Sequence, residues 1–121
     1  MPSFNTVDRF VTLVESGQFL EAIDQFYAEN ASMQENGSTP RVGKDALIKF
    51  ESAAQASVAS VKATCIRPIL ISEDIVVIRW VFESVSKKSG RAVRFEEIAY
   101  QRWEGELIAQ EQFFYDPGQF K

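Results

Sequence analysis

The apolar period of this chain changes abruptly near residue 58, and that change limits the folds open to it. Before it, apolar residues recur every three to four positions, the mark of amphipathic helix. Phe4, Val7, Phe10, Val11 and Val14 share one face of a helix over residues 3–16, with Gly17 as its stop. A second short helix carries Phe19, Ile23, Phe26 and Tyr27 at the same spacing. A short strand over residues 31–35 then runs into the turn-forming stretch Asn36-Gly37-Ser38-Thr39-Pro40. A third helix over residues 44–54 stacks Leu47, Phe50 and Ala54. Beyond it, residues 58–71, 75–86, 93–103 and 107–115 are rich in β-branched and aromatic side chains, as strands are.

The connections between these four runs are Ser72-Glu73-Asp74, Lys87-Lys88-Ser89-Gly90 and Glu104-Gly105-Glu106. Turns this short join only antiparallel neighbours, because parallel strands need a long crossover. Pro68, inside the first long strand, predicts a bulge or an edge position there. Helices first and a strand meander after them define an α+β chain, a curved antiparallel sheet with the helices on one face. Neither a linker nor a repeat interrupts residues 1–121, which read as a single domain.

The strand over residues 75–82 is apolar on both faces, with Val76, Ile78, Trp80 and Phe82 on one and Ile75, Val77 and Val81 on the other. Three short helices cover one face only, so the other is expected to pair with a second copy of the chain as a homodimer. An ordinary mixed surface is the plainer alternative.

With 121 residues, 45% apolar and 12% aromatic, the chain can bury a core without staples. It has no histidine, which removes histidine bases, histidine triads and histidine metal ligands. A single cysteine, Cys65, removes an internal disulfide and cysteine-rich zinc patterns, and reads as a small core residue. The formal net charge of −4 argues against nucleic acid as a partner. Its longest apolar runs, Ile69-Leu70-Ile71 and Ile75-Val76-Val77-Ile78, are too short to span a membrane. The N-terminus, with Asp8 and Arg9, has no signal-peptide core, so a cytoplasmic protein is expected and the sequons at Asn30 and Asn36 read as accidental.

Three segments carry a family resemblance: Phe26-Tyr27-Ala28-Glu29-Asn30-Ala31-Ser32-Met33, Pro40-Arg41-Val42-Gly43-Lys44-Asp45-Ala46-Leu47 and Phe114-Tyr115-Asp116-Pro117. With the element order, they resemble the nuclear-transport-factor-2-like superfamily, which includes SnoaL-like polyketide cyclases and ketosteroid isomerases. The resemblance covers essentially the whole chain. It implies a cone-shaped, cystatin-like α+β barrel with the three helices on the concave face of the sheet and a pocket between them. Because that scaffold hosts enzymes, binders and transport adaptors, it fixes the fold more firmly than the activity.

Steroid isomerases place an aspartate base at the end of the first strand, ahead of a Pro-Arg-x-Gly segment. Glu35 falls at that position, before Pro40-Arg41-Val42-Gly43. The tyrosine donor of the family aligns with Phe10 and its protonated aspartate with Ala99. Loss of one oxyanion donor costs roughly 100- to 1000-fold in rate, so ketosteroid isomerase activity itself is not expected.

Glu35 is either a solvated turn residue or an inward-facing base whose proton affinity burial raises. If Ala99 faces the pocket, strand alternation brings Glu97, Gln101 and Trp103 with it. Aligned the same way, the last strand turns Ile108, Gln110, Gln112 and Phe114 inward, whereas hydrophobicity alone favours Leu107, Phe113 and Tyr115. The expected site thus has Glu35 and Glu97 as catalytic carboxylates sharing a proton. Phe10, Phe26, Tyr27, Phe50, Trp80, Gln101, Trp103, Gln110, Gln112 and Phe114 form its ligand-binding wall. Arg41 would pair with a nearby acid or bind a ligand carboxylate.

The expected activity is isomerisation or aldol cyclisation of a small polyketide- or ketone-like molecule through a carboxylate base, with no cofactor or metal. The alternative is a pocketed protein that binds a small hydrophobic ligand without chemistry. A protein-interaction adaptor ranks third, for want of an exposed hydrophobic motif.

Overall fold

The computed structural model describes residues 1–120. Helix α1 (Phe4–Glu15) starts at Ser3, whose hydroxyl accepts a hydrogen bond from the Thr6 backbone N–H at 3.1 Å. Val7, Phe10, Val11 and Val14 form its buried face, whereas Phe4, expected on that face, is exposed at the helix start. Helix α2 (Phe19–Phe26) buries Phe19, Ala22, Ile23 and Phe26. Tyr27, expected to end that helix, instead opens strand β1 (Tyr27–Glu35), which therefore begins four residues before the predicted strand. The two-residue strand β2 (Arg41–Val42) leads into α3 (Lys44–Ala56).

Four long strands follow: β3 (Val58–Ser72), β4 (Ile75–Ser86), β5 (Ala92–Glu104) and β6 (Leu107–Phe114). Each pairs antiparallel with the next, as the short turns require. The six-stranded sheet has the order β2-β1-β6-β5-β4-β3 and stays open, with β2 and β3 at its edges. It is mixed rather than wholly antiparallel, because β1 lies parallel to β6. The chain between these two strands is long enough to return in either direction. Pro68 is both on an edge strand and inside a break in register between Ile66 and Leu70.

A second break shapes the site. Trp103 pairs with Ile108, but Arg102 pairs with Gln110, so Ala109 is an extra residue in β6. Side chains alternate normally on either side of this bulge, yet Ile108 and Glu111, three positions apart, are both buried. Between helices and sheet lies a core in which Val7, Val11, Leu47, Ile78, Trp103 and Ile108 are essentially inaccessible to solvent. Burial of each stabilises the fold by roughly 1.5–3 kcal/mol. No helix among the described residues is long and apolar enough to cross a membrane.

Candidate functional site

The core does not fill the space between the helices and the sheet. A cavity of about 350 Å³ remains there, toward the end of the sheet that carries the C-terminal 3-10 turn (Pro117–Phe120). Phe10, Phe19, Ile23 and Leu47 wall it from the helices, and Trp80, Phe82, Phe95 and Phe113 from the sheet. Phe82 stacks on Phe95 at 5.2 Å between ring centroids. Phe120 continues the aromatic wall, 4.7 Å from Phe95 and 5.8 Å from Tyr115. Such a volume and lining suit a small organic molecule.

Four carboxylates face this space, each from a different element: Glu35 from β1, Glu51 from α3, Glu97 from β5 and Glu111 from β6. The cation on the described wall is Arg41 of β2. Its Nη1 donates to Glu35 Oε2 at 2.8 Å, and its guanidinium carbon lies 3.4 Å from the centre of the Phe50 ring. Glu35 therefore stands at the cavity wall, paired with Arg41 and still partly exposed. Asn36, which follows it, adopts a positive φ of 48° and starts the turn toward β2.

Glu111 closes the cavity floor. The Tyr27 hydroxyl donates to its Oε1, and Gln101 Nε2 donates to Oε2 at 2.6 Å. Gln101 in turn accepts from Trp103 Nε1 at 3.0 Å. This chain of polar groups is wholly enclosed, and every buried side-chain polar atom among the described residues has a partner.

Burial in the aromatic shell favours the neutral form of these acids. Glu97 is pushed up to about 8, first by burial and then by the neighbouring Glu111, Glu35 and Glu51. Glu51 rises to about 7 through burial and the charge of Glu35. Glu111 also rises to about 7: burial outweighs the hydrogen bonds from Gln101 and Tyr27, which act the other way. Burial and Glu111 push the Tyr27 hydroxyl well above its ordinary value. Near neutral pH the cavity thus holds carboxyl groups able both to give and to accept a proton. Among the described residues, no group of three or more His, Cys, Asp or Glu side chains is arranged to hold a metal ion.

Of the residues singled out from the sequence, the structure brings Glu35, Glu97, Phe10, Tyr27, Phe50 and Trp80 to the cavity wall. Gln101 and Trp103 face the same side, as alternation requires, but lie behind Glu111 in packed core. Phe26 is buried behind Phe10, its ring 5.6 Å away, and does not reach the cavity. Gln110, Gln112 and Phe114 point away from it. Gln110 is exposed and accepts from Arg102 Nε, Gln112 Nε2 donates to the Asn36 carbonyl, and Phe114 is 45% exposed.

The bulge at Ala109 is the reason: alternation carried straight on from Ile108 takes the wrong face. Hydrophobicity was right about Phe113 and Tyr115 but not about Leu107, which is 41% exposed. Two cavity acids were missed. Glu51 lies four residues after Leu47, on the face of α3 that Leu47 and Phe50 define, and that spacing could have found it. Nothing in the local pattern marks the bulge that turns Glu111 inward.

A curved, open sheet with three helices over one face and a cavity between them defines a nuclear-transport-factor-2-like α+β protein. More narrowly, residues 7–111 match the SnoaL-like domain, and the chain belongs to that family. No curated protein matches the sequence. Solved structures do. A candidate SnoaL-like polyketide cyclase from Mesorhizobium loti superposes with a TM-score of 0.80 at 20% identity, over 95% of this chain and 100% of that one. A protein with a ketosteroid isomerase-like fold from Catenulispora acidiphila, in complex with trimethylamine, gives 0.81 at 16% identity, over 97% and 89%. TerC, co-crystallised with polyporic acid, gives 0.80 at 11% identity, over 99% and 95%. At these identities the likeness is one of fold.

Proposed function

We propose that the cavity is the active site of a cofactor-independent isomerase or cyclase acting on a small ketone- or polyketide-like molecule. One observation carries the reading. Within a single apolar cavity, a guanidinium grips one carboxylate, Glu35, while burial drives another, Glu97, to hold its proton near neutral pH. Glu35, anchored through Oε2, takes a proton from the carbon beside the carbonyl with Oε1. The C–H electron pair forms the C=C bond and the carbonyl π pair moves to the oxygen, which takes the proton of Glu97 to give an enol. Glu35 then returns its proton to a different carbon of a conjugated enol while the enol O–H gives its proton back to Glu97, isomerising the molecule. Alternatively the enol carbon attacks a second carbonyl, whose oxygen takes the proton from Glu35 as the enol O–H returns its own to Glu97, closing a ring. That structures of this fold hold polyporic acid or trimethylamine agrees with a small-molecule site.

The non-catalytic alternative rests on a different observation. Phe10 and Ala99, at the two positions aligned with the family's oxyanion donors, offer no donor, and Ala99 is fully buried. Deuterium uptake from heavy water by cyclic 1,3-diketones and aryl ketones, followed by NMR, separates the two readings. An enzyme loses about 100-fold or more in exchange rate on Glu35→Gln while the ligand still raises the melting temperature. Exchange no faster with the protein than without it leaves a binding protein.

The outer sheet face supports a homodimer, since Ile66, Leu70, Ile98, Tyr100 and Phe114 are exposed. The unpaired, buried thiol of Cys65 suits the reducing cytoplasm.

A further inference from the structure

Two of the four cavity carboxylates, one of them idle in the proposed reaction, bear on what kind of molecule enters. Glu51 and Glu97 reach the same cavity from opposite sides, α3 and β5. Among the described residues neither carboxylate has a hydrogen-bond or ion-pair partner. Arg41 is already taken, by Glu35 and the Phe50 ring. The aromatic wall of Trp80, Phe82 and Phe95 continues beside Glu97.

The three classes of ligand therefore meet different receptions. An anion would face four acids, with the one neighbouring guanidinium engaged. A neutral apolar molecule would gain burial but shield two carboxyl groups from solvent without giving them partners, at a cost. A cation gains from both the carboxylates and the ring faces, the combination that already holds Arg41. The four acids come from four elements and do not converge as a metal site, so the cation that fits is an organic one.

We propose that the cavity selects a protonated amine carried on an aromatic or alicyclic body, with its ammonium group held between Glu51 and Glu97. The inference rests on the cavity being the ligand site, and it adds the substrate class to the reaction proposed above. Proton linkage gives it a signature. Glu97 is faced by Glu111 from β6, Glu35 from β1 and Glu51 from α3. Arg41 of β2 sits on Glu35, the Tyr27 hydroxyl on Glu111, and Tyr115 beyond β6. An ammonium between Glu51 and Glu97 favours ionisation of Glu51, the more acidic of the two, so its binding expels a proton to solvent and strengthens as pH rises through about 7. Glu97, which holds its proton to about 8, turns its carbonyl oxygen to the ammonium and keeps the proton for the reaction.

The probes are 2-phenylethylamine, 2-phenylethanol and 3-phenylpropionate, titrated calorimetrically into the full chain in buffers of different ionisation enthalpy. The amine is expected to bind about tenfold or more tightly than the alcohol, and the carboxylate more weakly still. Amine binding should release protons near pH 7 and tighten between about pH 6.5 and about 8.5. Glu51→Gln should lower amine affinity by about tenfold and abolish proton release, whereas Glu97→Gln, which keeps a carbonyl oxygen for the ammonium, should leave the proton release in place. Glu104→Gln, at the exposed end of β5 and outside the cavity, should change neither.

Equal or tighter binding of the alcohol or the carboxylate overturns the proposal, as does amine binding without proton release. Those measurements need only the unmodified chain, so a variant that fails to fold does not shelter it. Ketone exchange that depends on Glu35, together with a preference for the alcohol, would sink the amine selectivity and leave the proposed reaction standing. Absence of binding by all three probes would overturn both the selectivity and the cavity reading beneath it.

Discussion

Glu97 shows how much one carboxyl group can do when its surroundings set its proton. Burial and three acidic neighbours carry it from 4.5 to about 8. In the unfolded chain the same group ionises near 4.5, so the folded form holds a proton that the unfolded form gives up. This contribution to stability is fully present below about 4.5 and is lost as pH rises to about 8. Gln is close in shape to a protonated carboxyl and has nothing to ionise. Glu97→Gln should therefore match the native stability near pH 5 and exceed it at about pH 8, by an amount on the order of 2 kcal/mol, with a correspondingly higher melting temperature. Thermal melts by circular dichroism across that range measure it, and parallel curves for the two proteins would show that Glu97 ionises freely in the fold. Glu35 is the counter-case. Its value to the site comes from the Arg41 guanidinium held against it and the Phe50 ring beneath, a geometry set by the turn from β1 into β2.

At the scale of the element, the sequence speaks clearly where a period is unbroken and falls silent where it slips. The helical faces of α1 and α2, apart from Phe4 and Tyr27, follow from spacing, and the inward row Glu97, Ala99, Gln101 and Trp103 on β5 follows from alternation once the family resemblance turns Ala99 inward. The extra residue Ala109 is one alanine among ordinary strand residues, and only its pairing with β5 reveals it. For the same reason β1 escaped detection over residues 27–30. Its Ala28, Glu29 and Asn30 are poor strand formers, and their extended path depends on β6 beside them.

The consequence can be tested by three substitutions in β6. Gln110→Ala removes an exposed contact with Arg102 and should cost no more than about 0.5 kcal/mol. Gln112→Ala removes the bond to the Asn36 carbonyl, and about 1 kcal/mol is expected. Glu111→Ala strips partners from the enclosed Tyr27 hydroxyl and Gln101 amide and should cost on the order of 2–3 kcal/mol. Urea denaturation reports all three. The reverse ranking, with the glutamines costlier than Glu111, would restore unbroken alternation and refute the bulge.

At the scale of the whole molecule, the question is what covers the sheet face that the helices leave bare. Its exposed apolar residues are not scattered. Register sets Leu70, Val77, Tyr100 and Gln112 side by side across β3, β4, β5 and β6, and beside them Ile66, Arg79, Ile98 and Phe114. Arg79 in the second row is neutralised within the chain by Glu96, 2.8 Å away. Two adjacent rows, mostly apolar and with their cation already paired, suit a flat surface that meets its own copy across a two-fold axis. Tyr100 sits near the middle with 45% of its surface exposed, where an aromatic side chain contributes most to association. Light scattering is therefore expected to give twice the chain mass at micromolar concentration, and Tyr100→Glu should weaken association by on the order of 100-fold. Because Tyr100 points away from the cavity, the monomeric variant should still bind 2-phenylethylamine and still exchange ketone protons. A native chain that scatters as a monomer would refute assembly through this face, and a monomeric variant that no longer binds would show that pairing helps shape the cavity.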